Sequence, residues 1–469
     1  MDAFIKKVQR PFSEPLRQDR LMDMSLKLQV EIRAKLDQSD ISMLPTFQHL
    51  LPTRKENGYF LAVDVGGSTL RVALVRLSGR TADAAQICSV RVYAVDDAVR
   101  QLRGDEFFDW LAAKIAEMKT EAVFQREIGS AQIPLGLTWS FPIEQISQSS
   151  GRLLKMGKGF HAGEDIEGHD LSDLLLRACR KLNLDVTLGA IVNDSVATLL
   201  SQAYLDPTTR VSLILGTGFN VAVYLPVSAL GDAKFGVRPA EWTASATRVV
   251  VNTELSMLGR DIMKTTKWDA LLNAQHELPD FQPLEYLLTG RYLGEIVRLV
   301  LIDAIATAGL FHGRAPHRLA EPYALDTKLL AEFERDASPG LSSARLAFFS
   351  AHPFPPDHPP PDVSDLHFIH TVIHAVTQRA AAYLAVALHA LWKVRSAAER
   401  LDTAIDPEAQ ISIACDGNII LSYPYFRRNT QQYLNELCQC AGAGIPSMRL
   451  EVADDGSIRG AAVAAASLG

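Results

Sequence analysis

Apolar positions recur along the chain in three segments of one shape: an apolar run, a short turn rich in Gly or Asn, and a second apolar run. The three segments are YFLAVDVGGSTLRVALVRL (59–77), VSLILGTGFNVAVYLP (211–226) and AQISIACDGNIILSYP (409–424). Such turns take Gly or Asn because left-handed backbone angles cost other residues energy. The pattern predicts three β-hairpins, and two hairpins from different halves of a chain could hold a polyphosphate between their backbone N–H groups.

Helical spacing of apolar residues predicts an amphipathic helix over 21–40 and a long buried helix over 376–394. The proline-rich segment 352–365 is predicted to be a loop, because each proline removes a backbone donor and fixes its φ angle. Asp194 follows the apolar run LGAIV and precedes SVATLLSQAYL, so it is expected where a strand ends and a helix begins. Ligands bind at such positions in α/β folds, but Asp is also a favoured helix N-cap, so position alone leaves both roles open.

Composition narrows the class of protein. The 469 residues are too many for one ordinary core, and 48% hydrophobic with 22% charged residues is typical of a soluble globular chain. A formal net charge of -7 argues against nucleic acid or an anionic membrane as the main partner. Five scattered cysteines suit a reducing compartment, and neither a signal peptide nor a membrane-spanning run is evident. We therefore expect a cytoplasmic protein of two or more domains.

Taken in order, the motifs resemble those of fungal-type hexokinases, within the superfamily of sugar kinases, heat-shock ATPases and actin. The first two hairpins resemble the two phosphate hairpins of that family. Other matches are LGLTWSFPIEQ to the sugar-binding segment, LLKMGKGF to the sugar loop and AIVNDSVATLL to the catalytic segment. VVNTELSMLG and PLEYLLTGRYLGEIVRL resemble segments that supply carboxylates to the sugar, and ACDGNIILSYPYF and DDGSIRGAAVAAA complete the order.

The resemblance runs from about residue 20 to the end of the chain. It implies an α/β, two-lobed fold of the actin-like ATPase and sugar kinase (ribonuclease H-like) type with a central cleft. The small lobe would span 60–192, with 441–469 returning to it. The large lobe would span 193–440, with 1–59 packed on it.

The same resemblance implies an ATP-dependent kinase that transfers the γ-phosphoryl group of Mg-ATP to the C6 hydroxyl of a hexose. Asp194 would be the catalytic base, and Asp64 would hold Mg²⁺ through water. Residues implied at the sugar are Ser140, Gly157, Lys158, Asn193, Asp194, Asn220, Glu254 and Glu285. Residues implied at the nucleotide are Asp64, Gly66, Gly67, Ser68, Thr69, Arg71, Gly216, Thr217, Gly218, Gly290, Gly417 and Asn418, although Arg71 could equally point outward from its strand. The expected partners are the hexose and ATP, with no nucleic acid or membrane, and the chain is expected to be a monomer or homodimer.

Several positions depart from the family pattern. Gly157 stands where the loop threonine is expected, and Leu255-Ser256 stands where Trp-Gly is expected. Loss of a threonine hydroxyl removes about one hydrogen bond, a net roughly 0.5–1.5 kcal/mol, and opens space on the C2–C3 side of the sugar.

Two interpretations of these departures compete. In one, an N-acetyl group on C2 fills the space, which slightly favours N-acetylglucosamine over glucose as substrate. In the other, the chain is a catalytically weak or inactive regulator that binds sugar or nucleotide. Retention of Asp64, Asp194 and both phosphate hairpins favours the kinase.

Overall fold

The computed structural model describes residues 2–81, 84–154, 156, 159–357, 359, 361–400, 409–440 and 448–467. Its strands form a five-stranded sheet, a six-stranded sheet and a two-stranded ribbon. The strands are β1 (Leu44–Pro45), β2 (Asn57–Val65), β3 (Thr69–Ser78), β4 (Ala85–Ala94), β5 (Ile133–Trp139), β6 (Ile143–Gln145), β7 (Gly151–Leu153), β8 (Val186–Val192), β9 (Thr209–Leu215), β10 (Phe219–Pro226), β11 (Arg248–Asn252), β12 (Ile411–Asp416) and β13 (Met448–Val452).

Both sheets are flanked by helices, which makes the fold α/β, as predicted. The helices are α1 (Asp2–Ser13), α2 (Gln18–Asp37), α3 (Asp97–Arg100), α4 (Gly104–Glu117), α5 (Ala122–Glu127), α6 (Ala162–Ile166), α7 (Leu171–Lys181), α8 (Asp194–Leu205), α9 (Ala240–Ser245), α10 (Lys267–Gln275), α11 (Pro283–Leu288), α12 (Gly290–Ala308), α13 (Thr327–Arg335), α14 (Ser342–Ala351), α15 (Val363–Glu399), α16 (Asn418–Ser422), α17 (Phe426–Cys440) and α18 (Gly456–Ala466).

The five-stranded sheet has the order β4-β3-β2-β5-β8. Strands β2 and β3 pair antiparallel from Asn57 opposite Ser78 to Val65 opposite Leu70, which confirms the hairpin predicted over 59–77. Strands β2, β5 and β8 run parallel to one another. Their carboxyl ends therefore lie at one edge of the sheet, the edge where ligands bind in folds of this class.

The six-stranded sheet has the order β1-β11-β10-β9-β12-β13. Strands β9 and β10 pair antiparallel, which confirms the hairpin predicted over 211–226. The hairpin predicted over 409–424 is wrong, because β12 pairs parallel with β9 and β13, and the chain continues as helix α16. At the turn, Gly417 adopts φ 106°, which ends the strand without forming a hairpin.

Helix α15 is the core of the larger lobe and extends over 37 residues. It contains the buried helix predicted over 376–394. It begins at Val363, after a capping box at Asp362 and Asp365, so the last three residues of the loop predicted over 352–365 are helical instead. By length and composition α15 could cross a membrane, but 78% of its most apolar window is buried inside the protein. The predicted N-terminal amphipathic helix is also present, as α2.

Helices α8 and α18 pack against each other between the two sheets, in an alanine-rich core. Their contact is close, because a Cβ on Gly460 would lie 1.9 Å from the carbonyl oxygen of Ala197. Strand β13 pairs with β12, so residues 448–452 belong to the larger sheet and not, as predicted, to the small lobe. Within the described residues the chain returns to the smaller sheet only with α18, which packs on β2, β5 and β8.

Candidate active site

The parallel strands of the smaller sheet bring the predicted acidic residues to one edge. Asp64 lies opposite Thr138 on β5, and Thr138 lies opposite Val192 on β8. Adjacent strands are about 4.8 Å apart, so the end of β8 lies roughly 10 Å from Asp64. Asp194 follows two residues after Val192, as the first residue of α8, which confirms the strand-to-helix position expected for it.

The segment around Asp194 is fixed by the start of its helix. Asn193, and not Asp194, is the N-cap residue: its Oδ1 accepts hydrogen bonds from the backbone N of Ser195 at 2.9 Å and from the Ser195 hydroxyl at 2.7 Å. The same Ser195 backbone N lies 2.7 Å from Oδ1 of Asp194. Since Asn193 performs the capping role, the N-cap interpretation does not account for Asp194.

Asp64 is held by groups from two parts of the chain. Its Oδ2 accepts hydrogen bonds from Nε and Nη2 of Arg71 at 3.0 and 2.7 Å and from the Ser457 hydroxyl at 3.1 Å. Arg71 also bonds Asp455 at 3.2 Å and the hydroxyl of Ser457. The guanidinium therefore points inward at Asp64, which rules out the outward orientation and favours a role behind Asp64 over direct phosphate contact.

Backbone bonds fix the turn from Gly66 to Thr69 that was predicted to hold phosphate. The Gly66 N–H donates to the Thr69 carbonyl at 3.0 Å, and the Val95 N–H donates to the Ser68 carbonyl at 2.9 Å. Nη2 of Arg100 donates to the Gly67 carbonyl at 3.2 Å. Three carbonyls of the turn are thus bonded within the protein, and the Gly66 N–H is used in one of these bonds, so the N–H groups of Gly67 and Ser68 are available to a phosphate.

In the larger sheet, the ends of β10 and β11 bring together three polar residues. Nδ2 of Asn220 lies 2.9 Å from Oδ1 of Asn252 and 3.2 Å from Oε1 of Glu254, and Nδ2 of Asn252 lies 2.9 Å from the same Glu254 oxygen. Glu254 has a left-handed backbone, with φ 46°, an arrangement that non-glycine residues adopt mainly where the surroundings impose it. Carboxylates and amides grouped in this way suit a ligand with several hydroxyls.

The predicted sugar residue Glu285 lies against the second predicted phosphate hairpin. Its Oε2 accepts a bond from the Phe219 N–H at 2.9 Å, and a Cβ on Gly218 would lie 3.3 Å from that oxygen. The Gly290 N–H donates to the Gly216 carbonyl at 3.1 Å. Predicted sugar and nucleotide residues are therefore neighbours along β10, α11 and α12.

The segment after β12 closes against the second hairpin. A Cβ on Gly216 would lie 3.4 Å from the Asn418 N, and one on Gly417 would lie 2.4 Å from the Leu215 carbonyl oxygen. Only glycine fits at this approach. Asp416, which precedes it, has a raised pKa, chiefly because burial disfavours its charge; repulsion from Asp455 and Asp64 adds to this effect and Arg71 opposes it.

Four further positions singled out from the sequence are Ser140, Gly157, Lys158 and Leu255. Ser140 follows β5, and its N–H donates to the Val65 carbonyl at 3.2 Å, which places it beside Asp64. Gly157 and Lys158 lie outside the described residues. Leu255 is completely buried in the core of the larger lobe, so it offers no surface to a ligand and does not supply the space expected there.

Comparison with known proteins assigns the family. Two family models, both described as hexokinase, match residues 5–204 and 210–467. The chain belongs to the hexokinase family. It is 30% identical to a hexokinase of Kluyveromyces lactis over 91% of this chain and 84% of that one, and 30% identical to hexokinase-2 of Saccharomyces cerevisiae over the same shares of the two chains. A solved hexokinase of Schistosoma mansoni, complexed with glucose, has a TM-score of 0.79 at 27% identity and covers 99% of this chain and 98% of its own.

This hexokinase-family protein is therefore a two-lobed sugar kinase, a phosphotransferase. Among the residues that the structure describes, no group of three or more His, Cys, Asp or Glu side chains could by itself hold a metal ion. Mg²⁺ that arrives with a nucleotide needs only one or two carboxylates, because phosphate oxygens and waters complete its shell. Asp64 is suited to that role, since all three bonds to its side chain go to Oδ2.

Sequence reasoning missed two polar residues of this site. Asn252 was not singled out, although it stands only two positions before Glu254 in VVNTELSMLG. Asp416 was seen only as a turn residue. Its position after a buried apolar run was the available signal, and the wrong hairpin assignment obscured it.

Proposed function

We propose that this protein transfers the γ-phosphoryl group of Mg-ATP to the C6 hydroxyl of a hexose. The observation that carries the proposal is the position of Asp194 at the carboxyl edge of the smaller sheet, two strands from Asp64. A base then lies at the same sheet edge as one acidic residue suited to Mg²⁺. Phosphoryl transfer requires little more than positioning, charge stabilisation and a base for the attacking hydroxyl.

In this mechanism Asp194 accepts the proton of O6 as that oxygen attacks the γ-phosphorus, the bond from the γ-phosphorus to the β,γ-bridging oxygen breaks, and ADP leaves. Asn220, Asn252 and Glu254 form one bonded group that would bind sugar hydroxyls and fix the direction of O6. The turns Gly66–Thr69 and Gly216–Gly218 would bind the phosphates through backbone N–H groups. Mg²⁺, when bound, neutralises charge on the β- and γ-phosphates, and Asp64 would hold it through water.

The identity of the hexose is the finer part of the proposal. The Schistosoma mansoni relative was solved with glucose, which supports a hexose of that shape. Preference for N-acetylglucosamine now depends on Gly157 alone, because Leu255 is buried in the core. We propose that N-acetylglucosamine is phosphorylated at least as efficiently as glucose.

A substrate panel tests both levels of the proposal. Purified protein is assayed for ADP release with Mg-ATP and either glucose, N-acetylglucosamine or 6-deoxyglucose, which lacks the attacking hydroxyl. We expect turnover with the first two sugars and none with the third. Activity on glucose alone would contradict the acetamido preference, and Gly157→Thr should shift the kcat/KM ratio toward glucose if space at that position admits the acetyl group.

The same panel addresses the regulator as the alternative function. A protein that binds sugar and stays folded, but does not turn over ATP, would show a sugar-dependent rise in Tm without ADP release. That pair of results would reject the kinase proposal. Asp64 and Asp194 are both present and hydrogen-bonded in the structure, which argues against the regulator and for the kinase.

A further inference from the structure

Arg100, the last residue of α3, touches both parts of the small lobe that are predicted to bind substrates. Its Nη2 donates to the carbonyl of Gly67 in the first phosphate turn at 3.2 Å. Its own carbonyl accepts from the N–H of His161 at 2.9 Å. Segment 159–161 directly follows Lys158 in the predicted sugar loop, so one residue contacts both regions.

The contact with Gly67 has a direct effect on the geometry of the phosphate turn. In a trans peptide unit the carbonyl and the following N–H point in opposite directions. A bond from Arg100 to the Gly67 carbonyl therefore directs the Ser68 N–H to the other side of the turn. The Val95 N–H bonds the Ser68 carbonyl at 2.9 Å and directs the Thr69 N–H in the same way.

The contact with the sugar loop is equally close. Gly159 has a left-handed backbone with φ 78°, and a Cβ placed on it would lie 3.9 Å from Cδ of Arg100. The arginine stem thus packs against the residue next to Lys158 while its carbonyl holds His161. A shift of this loop on sugar binding would move the Arg100 backbone and, through its side chain, the Gly67 peptide.

The side chain of Arg100 is poorly explained as a surface group. Its side chain is 28% exposed, and its other side-chain partner among the described residues is Asp97, whose side chain is 94% exposed and contributes little by itself. Its Nε–H is buried and has no acceptor among the described residues.

We propose that Arg100 is a positioning residue that couples sugar binding to nucleotide binding. Binding of the hexose beside Lys158 fixes the position of segment 159–161, which contacts Arg100, and Arg100 fixes the Gly67 peptide so that the Ser68 N–H faces the phosphates. The inference rests on the proposed kinase function but concerns affinity coupling and not the chemical step. Neither Arg100 nor His161 was among the residues predicted from the sequence.

The test measures coupling by binding alone, without turnover. Dissociation constants for a non-hydrolysable ATP analogue with Mg²⁺ are determined by calorimetry with and without saturating hexose, for wild type, Arg100→Ala and Arg100→Lys. In wild type we expect hexose to tighten nucleotide binding about fivefold or more, a usual size for coupled sites. Arg100→Ala should bring that ratio close to one, and Arg100→Lys, which retains one donor, should restore part of it.

Arg103→Ala is the matched control, because Arg103 lies three positions further along and, within the described part of the chain, makes no hydrogen bond or ion pair to the phosphate turn or the sugar loop. It should keep the wild-type ratio. If Arg100→Ala keeps the wild-type ratio of nucleotide dissociation constants without and with hexose, the coupling role is overturned. A lower Tm together with that unchanged ratio would mean that Arg100 only stabilises the fold. If the wild type turns over ATP with a hexose, the proposed function stands whatever the Arg100→Ala coupling ratio is. If the wild type binds neither hexose nor nucleotide, both the proposed function and the coupling role are rejected.

Discussion

Arg71 and Asp64 form an ion pair across the first hairpin, with Nη2 of the arginine 2.7 Å from Oδ2 of the carboxylate. The two residues are directly opposite each other in the antiparallel register of β2 and β3. Their pair is extended by Ser457 and Asp455 at the start of α18. The hairpin predicted to bind phosphate is therefore joined to the helix that packs between the two sheets, and the orientation of Asp64 depends on both.

Arg71→Lys tests whether Asp64 is positioned in this way. A lysine ammonium is a single point donor and cannot replace the guanidinium fork that bonds Asp64 and Asp455 together. We expect kcat to fall by about tenfold and the Mg²⁺ concentration for half-maximal activity to rise, measured by ADP release at fixed ATP. Arg20→Lys, in an exposed pair on α2, is the control; an unchanged Mg²⁺ requirement in Arg71→Lys would show that Asp64 does not need the pair.

Asp194→Asn should remove the proposed base while keeping the shape of the side chain. We expect kcat to fall by roughly two to four orders of magnitude, the usual contribution of a positioned base, with a smaller change in KM for the hexose. Stopped assays of sugar phosphate over hours measure the residual rate. Asp173→Asn, an exposed acid in the first turn of α7, serves as control, and a loss of less than tenfold in Asp194→Asn would assign the base to another group.

The sequence predicted the parts of this site whose signal is local. The hairpins over 59–77 and 211–226 were found because their strands alternate and their turns contain glycine. The third hairpin failed for a physical reason: a buried strand before Asp-Gly-Asn has the same local pattern whether it pairs with the next segment or, as here, with distant β9 and β13. Arg100 could not be predicted, since its contacts with Gly67 and His161 join residues far apart in the chain and depend on tertiary packing.

Asp416→Asn tests whether the larger sheet contributes a destabilising charge to the site. Burial raises the pKa of Asp416, so its protonated form favours folding, and that contribution is lost as pH rises through the folded-state pKa. Asparagine is always neutral and can still accept the Gly417 N–H, which bonds Oδ1 of Asp416 at 2.6 Å. The variant should therefore melt at a higher temperature than wild type near pH 7, with the difference shrinking toward about pH 4.

Differential scanning fluorimetry across that pH range gives the measurement, with Asp97→Asn as an exposed control. A Tm difference that is the same at every pH would mean that the substitution acts through packing and not through the charge. A stabilised variant that has also lost activity would indicate that the charge is kept for function at a cost in stability.

The largest effect on stability is expected where α15 meets α10, at the ion pair of Arg379 and Asp269. The guanidinium donates to both carboxylate oxygens at 2.6 and 2.7 Å, and the two side chains are 0% and 4% exposed. Thr266 caps the helix start and bonds the same carboxylate at 2.7 Å. Arg379→Met would leave Asp269 buried without its charge partner, which costs about 3–5 kcal/mol in comparable cases.

Urea unfolding of Arg379→Met should give a midpoint well below that of wild type, whereas Arg20→Met, in an exposed pair on α2, should change it little.

Burial alone would raise the pKa of Asp269, but the charge and hydrogen bonds of Arg379 outweigh burial and lower it. A lowered acid pKa stabilises the fold above the unfolded-state pKa, and this contribution is lost as pH falls through the folded-state value. The difference between wild type and Arg379→Met should therefore narrow in acid, and the double variant Arg379→Met with Asp269→Asn should recover part of the loss at neutral pH because it buries no charge. If Arg379→Met unfolds within about 1 kcal/mol of wild type at neutral pH, Asp269 must be reached by water or protonated in the variant, and the pair would not be the main support of this helix contact.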